Sequence, residues 1–243
     1  MSQPQGQLFA ETRWSMVLEA KRDSREALNS LFGMYRSPLI AWLRCRGLGN
    51  QEMEDLVHGF FEQLLRRHDL KRVAPEKGRF RTFLLTAFRN YLGDQMKRQN
   101  AGKRGGGRGI ASLDESTEGG GRLLEPASGG MSPDLAYDRA WAQTVLRNAL
   151  RQLESECIAT GHGALCKALE PALFRDEDAL SYQEIAAQFG STEGAVKMAA
   201  HRIRRRLAEL IREEVRQTIA SEEHLETELS YLQRLFNRPS DGL

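Results

Sequence analysis

The sequence predicts an all-α fold of two helical domains joined by a Gly-rich flexible linker. Apolar residues return every three or four positions on both sides of the middle of the chain, the period of a helix with one buried face. No alternating apolar and polar run of useful length appears in the first half, so nothing there reads as a strand. Between the halves, Gln99 to Ser132 holds Gly105 to Gly107 and Gly119 to Gly121 with few large apolar side chains, a composition that cannot offset the entropy of folding. The expected divisions are an N-terminal segment at 1–23, a helical domain at 24–99, the linker at 100–131, a helix-turn-helix domain at 132–217 and a C-terminal helical extension at 218–243.

In the first domain Leu28, Leu31, Phe32 and Tyr35 share a helical face that Ser37-Pro38 is expected to interrupt, and Leu39, Ile40 and Leu43 continue in a second helix. Gly47 and Gly49 stop it and Asn50 can cap the next, where Met53, Leu56, Val57, Phe60 and Leu64 form an apolar stripe. Leu84, Phe88, Leu92 and Met96, spaced by four, give a fourth helix. Beyond the linker, Ser132-Pro133 is an N-cap followed by proline at the first helical position, ahead of Trp141, Val145, Leu146, Ala149 and Leu153. Gly161-His162-Gly163 breaks that helix, and another runs through Leu165, Leu169 and Phe174 with Pro171 as an irregularity. Ser221 to Phe236 is an acidic amphipathic candidate, with Leu225, Leu229, Leu232 and Leu235 in register, expected to cover the second domain or to bind a regulator.

Composition narrows the function. With 40% hydrophobic residues the chain can bury real cores, whereas 28% charged residues leave no stretch apolar enough to span a bilayer. The start, Met-Ser-Gln-Pro-Gln-Gly, lacks a basic stretch leading into an apolar run, so no signal peptide and a cytoplasmic location are expected. The net charge of +2 conceals a segregation: bases gather between Arg79 and Arg108 and between Lys197 and Arg216, acids at Asp114 to Glu125 and Ser221 to Glu228. Three cysteines without a CxxC pair read as reduced thiols. Cys157, His162 and Cys166 supply three candidate ligands where a structural zinc site needs four, so no metal and no cofactor are expected. Gly102-Lys103 lacks both the upstream glycine spacing and the Ser or Thr of a phosphate loop, since Arg104 follows.

The most informative stretch runs from Leu180 to Leu210. Ser181 and Glu184 have capping-box spacing, and Leu180 and Ile185 fall at the positions of a hydrophobic staple. Ile185, Ala186 and Phe189 supply a buried side, Gly190 allows a left-handed turn, and Thr192 can cap a second helix. On that helix Val196, Ala200, Ile203 and Leu207 line one face while Lys197, His201, Arg204 and Arg205 project from the others. In a DNA-binding helix-turn-helix the leading turns enter the major groove. Thr192, Glu193, Lys197, Met198 and His201 are the expected residues there, and Arg202, Arg204, Arg205 and Arg206 are expected near phosphates. A solvated basic helix is the bland alternative.

In the first domain Phe80, Phe83, Phe88 and Tyr91 are interleaved with Arg79, Arg81, Arg89, Lys97 and Arg98. Aromatics beside bases suit single-stranded DNA, because unpaired bases stack on rings while cations follow the backbone. Phe88 shares the stripe of Leu84 and Leu92 and is expected in the core.

Taken together these residues resemble the extracytoplasmic-function (ECF) class of RNA polymerase sigma factors. The segment from Glu54 to Leu64, Glu-Asp-Leu-Val-His-Gly-Phe-Phe-Glu-Gln-Leu, is similar to the region 2 helix that docks on the polymerase clamp helices. By that resemblance Glu54, Asp55, Val57, His58, Phe61 and Glu62 would bind polymerase. Arg79-Phe80-Arg81-Thr82-Phe83-Leu84 and Ala87-Phe88-Arg89-Asn90 resemble the segment that opens the −10 element, which would give Arg79, Phe80, Arg81, Thr82, Arg89, Asn90 and Lys97 to that element, with the loop from Asp69. Leu180 to Ala186 and Gly194 to Lys197 with His201-Arg202 resemble region 4, which reads the −35 element. The opening Thr12-Arg13-Trp14-Ser15, the Lys103-Arg104-Gly105-Gly106-Gly107 linker and Gln217-Thr218-Ile219-Ala220 resemble a branch with a C-terminal extension. The stretch from Leu153 to Leu180 is longer than in compact members and lacks their Leu-Pro run.

The resemblance implies a four-helix region 2 type domain and a helix-turn-helix region 4 type domain, no catalytic residue, and as partners core RNA polymerase (clamp helices and flap), promoter DNA and an anti-sigma or other regulator, with no membrane. The alternatives are a helix-turn-helix regulator acting without polymerase docking and a helical enzyme using Cys157, His162 and Cys166.

Overall fold

The computed structural model describes residues 25–66, 79–103, 131–174, 179–219 and 222–237, all helix or connection, with no strand among them. The helices are α1 (Arg25–Arg44), α2 (Asn50–Arg66), α3 (Phe80–Lys103), α4 (Pro133–Ala159), α5 (Gly163–Leu173), α6 (Tyr182–Gln188), α7 (Glu193–Arg216) and α8 (Leu225–Asn237), the last preceded by a 3-10 turn at Glu222–His224. None of the described helices is long and apolar enough to cross a membrane. The N-terminal segment with Thr12 to Ser15, the loop from Asp69 to Gly78 and the linker residues 104–130 lie outside the described residues.

Two compact units divide the chain. One takes residues up to Ala142 together with Gln217 onward, and the other takes Gln143 to Arg216. The sequence expectation grouped 132–217 and set 218–243 apart. Instead the start of α4 and the C-terminal helix belong with α1–α3, because Tyr137, Trp141 and Glu228 are buried there against Arg81, as described below.

In the first unit, α1 runs unbroken through Pro38, where the sequence suggested two helices. An interior proline costs a helix about 3 kcal/mol through its missing donor and its ring. Here the apolar stripe continues on both sides of it: Leu31, Met34 and Tyr35 before, Leu39, Trp42 and Leu43 after, all buried. Both halves share one packing surface, which favours one axis. A left-handed Gly47 (φ 74°) ends the helix, and the Gly49 carbonyl accepts the first bond of α2 from the Met53 N–H (3.0 Å).

Aromatic rings join α1, α2 and α3. Phe60 of α2 meets Phe88 of α3 edge-on at 5.0 Å, Trp42 of α1 meets Phe88 at 5.8 Å, and Tyr35 meets Phe80 at 5.3 Å. Such pairs each contribute about 0.5–1.5 kcal/mol beyond the area they bury. Tyr91 stacks on Phe88 and is buried too. α4 opens as expected: Ser132 Oγ accepts from the Leu135 N–H at 3.3 Å, and Pro133 is the first helical residue.

In the second unit Ala149, Leu153, Cys157, Cys166, Leu207 and Leu210 form one apolar cluster of α4, α5 and α7. Leu169, Ile185, Ala186, Val196, Ala199 and Ala200 form another, which holds α6 against α5 and α7.

Candidate nucleic-acid interface

The second unit presents a helix-turn-helix whose joints are set by local chemistry. Ser181 has extended backbone (φ −64°, ψ 154°), and its Oγ accepts from the Glu184 N–H at 3.2 Å. Glu184 Oε2 in turn accepts from the Ser181 N–H at 2.8 Å, which closes the capping box. The staple partner Leu180 remains 48% exposed although Ile185 is fully buried. α6 ends at Gly190, whose φ of 60° is a left-handed conformation that an L side chain adopts only with strain. The Ser191 N–H then donates to the Ala186 carbonyl at 2.9 Å. Two residues on, Thr192 Oγ1 accepts from the Ala195 N–H at 3.2 Å and starts α7.

α7 buries Val196, Ala199, Ala200 and Leu207 and leaves Thr192, Glu193, Lys197, Met198, His201, Arg202 and Arg205 exposed. The opening turns therefore carry a polar face with one apolar member, Met198, at 59% exposure. Lys197 Nζ lies 2.7 Å from Glu193 one turn earlier, and that carboxylate raises the lysine pKa. Arg205 pairs with Glu209 at 3.1 Å. Both pairs are exposed, so solvent screens them and a phosphate can displace the carboxylate at little cost.

Two of the four arginines expected at phosphates are engaged by protein groups, Arg206 half-buried and Arg204 at the surface. Arg206 makes two 2.8 Å bonds to Glu156 of α4, from Nε and from the guanidinium tip, and also reaches Glu209 and Glu213. Arg204 donates to the Ala172 carbonyl at 3.1 Å and to the Tyr182 hydroxyl at 2.6 Å. These two tie α7 to α4, α5 and α6.

Hydrogen bonds from Arg206 hold the Glu156 carboxyl below its ordinary value, and those from Ser181 do the same for Glu184. A carboxylate whose pKa is depressed on folding contributes stability that is complete above its unfolded pKa and is lost as pH falls through the folded one. Thermal unfolding followed by circular dichroism should therefore show loss of stability below about pH 4.5, the ordinary glutamate range. The acid slope should be shallower in the Glu156→Gln, Glu184→Gln double variant; equal slopes would remove these two groups from the account.

In the first unit the expected contact residues separate into two sets. Thr82, Asn90 and Lys97 on α3 are exposed. Arg89 is half-exposed and pairs with Asp134, which also accepts from Trp42 Nε1 at 3.0 Å. Burial raises the Asp134 pKa, but these hydrogen bonds outweigh it and leave the group below its ordinary value. Phe80, by contrast, is in the core. Arg81 is buried as well, its guanidinium 4.4 Å from the Trp141 ring and 5.1 Å from that of Tyr231. It pairs with Asp138 at 3.2 Å and with Glu228, which also takes Arg79 at 3.0 Å. Burial lowers the Arg81 pKa, against the opposing effect of Asp138.

On α2, Asp55, His58 and Glu62 are exposed at helical spacing on one face. His58 Nδ1 lies 3.0 Å from the Glu54 carbonyl, and Glu54 is engaged by Arg36. Val57 and Phe61, expected as contacts, belong to the buried stripe with Met53, Phe60 and Leu64. Sequence reasoning missed Glu228. The available signal was its place on the leucine stripe, three residues after Leu225 and four before Leu232, where an acid has no business unless partnered.

Of the candidate metal residues, Cys157 and Cys166 come together in the apolar cluster, where burial and the Cys157 thiol push the Cys166 thiol up to about 12. His162 is exposed beside Thr160. Among the described residues no group of three or more His, Cys, Asp or Glu is placed to hold a metal ion.

No curated protein and no solved structure matches the chain. Residues 173–207, from the end of α5 through α6 to Leu207 of α7, match the family model described as sigma-70, region 4. The helix-turn-helix is thereby identified as a DNA-binding segment of the sigma-70 type, which belongs to transcription initiation.

Proposed function

We propose that the chain is a sigma factor of the ECF kind, which binds core RNA polymerase and selects promoters by reading two DNA elements. The observation that carries this reading is the capped, glycine-turned helix pair with an exposed polar leading face followed by exposed Arg202 and Arg205, within the segment that matches sigma-70 region 4. Thr192, Glu193, Lys197, Met198 and His201 would meet base edges of the −35 element, and Arg202 and Arg205 its phosphates. Thr82, Arg89, Asn90 and Lys97, with Arg79 and Arg81, would take the −10 element as single strands. Asp55, His58 and Glu62 would face the polymerase. The chain would add no catalytic group; the chemistry would be the polymerase's.

In vitro transcription with core polymerase and a promoter library tests this. Lys197→Ala should weaken upstream recognition by about 1–3 kcal/mol if it reads a base. Asp55→Ala should reduce polymerase binding while leaving the duplex affinity of the chain unchanged. A chain that dimerises on palindromic DNA and never associates with core polymerase would instead be a stand-alone regulator.

A further inference from the structure

The C-terminal helix brings a carboxylate onto two arginines that the −10 reading needs. Glu228 lies in the middle of α8's buried stripe, between Leu225 and Leu232, and its side chain is 1% exposed. It meets Arg79 at 3.0 Å and also engages Arg81, whose side chain is 5% exposed. A carboxylate and a phosphate ask the same of a guanidinium, a forked set of N–H donors directed at two oxygens. While α8 is in place, a nucleic-acid phosphate has no route to Arg81.

We propose that α8 is a built-in competitor for nucleic acid: Glu228 occupies the anion site made by Arg79 and Arg81, and single-stranded DNA gains that site only when α8 leaves it. The inference rests on the reading of α3 as a contact with unpaired DNA.

Two features favour a displaceable helix over a fixed rivet. Asp138 already neutralises Arg81 at 3.2 Å, and the Trp141 ring covers one of its faces, so Glu228 is a second carboxylate that also takes Arg79. Buried ion pairs are weak evidence for stability, and an apolar residue on the leucine stripe would pack there without desolvating a charge. Secondly, α8 has 13 residues, a length marginal as an isolated helix in water. It is held by Leu225, Leu232 and Leu235, by the two arginines and by the Tyr231 hydroxyl, which donates to Asp138, so loss of these contacts melts it and exposes two arginines against one carboxylate.

The test is Glu228→Gln in the full chain, which keeps the shape and leaves Arg81 with Asp138. Binding of a fluorescein-labelled, mixed-sequence single strand should tighten about tenfold, within the range usual for coupled sites. A variant that melts as the parent does but binds no more tightly overturns the proposal.

Hydrogen exchange on the unaltered chain provides a second measurement that does not depend on the variant folding. Amides of 225–237 should lose protection when the single strand is added, and unchanged protection in the bound state overturns the proposal. If the chain supports transcription with core polymerase while Glu228→Gln and the exchange experiment show nothing, the lock fails and the sigma reading stands. If no single strand binds with or without polymerase, both fail.

Discussion

Ile185→Ala is expected to destabilise the helix-turn-helix unit by about 2–5 kcal/mol, the range for truncating a fully buried aliphatic side chain. Ile185 is 0% exposed and sits among Leu169, Ala186, Val196, Ala199 and Ala200. The consequence is larger than one contact, because α6 has only seven residues and needs packing in addition to its caps. Against a total stability of about 5–15 kcal/mol for a domain, the loss is a large fraction. Urea denaturation should give a lower midpoint, and duplex DNA affinity should fall with it even though Ile185 touches no DNA. A change under about 1 kcal/mol would mean that the capping box and the Gly190 turn hold α6 unaided.

Arg81→Ala is expected to cost the first unit about 3–5 kcal/mol, since it leaves Asp138 without a cation and the buried Glu228 with Arg79 alone, beside an empty space where the shared guanidinium was. The aromatic faces of Trp141 and Tyr231 lose their cation at the same time. Glu228→Gln should cost much less, because it removes a charge and keeps Arg81 paired with Asp138. That asymmetry, measured by chemical denaturation of both variants side by side, distinguishes a stranded carboxylate from simple loss of packing. Equal losses would indicate that shape alone matters at this site.

The parts of the fold that were legible in the sequence are those decided within a few residues. Ser181, Glu184, Gly190 and Thr192 could be read in advance because a cap and a left-handed turn are satisfied by their own neighbours. Ser132-Pro133 was legible for the same reason. What could not be read was set by partners distant in the chain. Pro38 looked like a stop because its local cost is visible and the shared packing surface that offsets it is not. The partner that Arg81 holds in the folded chain was hidden because a basic residue beside aromatics has one appearance whether its anion is a phosphate or Glu228. Phe61 matched a docking motif by letter, while in the fold it is buried against Phe60; Val57 was already legible on the apolar stripe. Arg204 and Arg206 had the same charge as Arg202 and Arg205; only the positions of Ala172, Tyr182 and Glu156 divide them.

The distribution of the three thiols has a practical outcome for spectroscopy. Cys157 and Cys166 are both buried out of a reagent's reach, and the Cys166 thiol, held near 12, offers almost no thiolate at neutral pH, the form that attacks a maleimide. Cys45, just past the end of α1, is only half-buried. A maleimide dye added to the natural sequence would accordingly attach at Cys45, on the unit that carries α8, and report on that unit without any cysteine having to be engineered in or out.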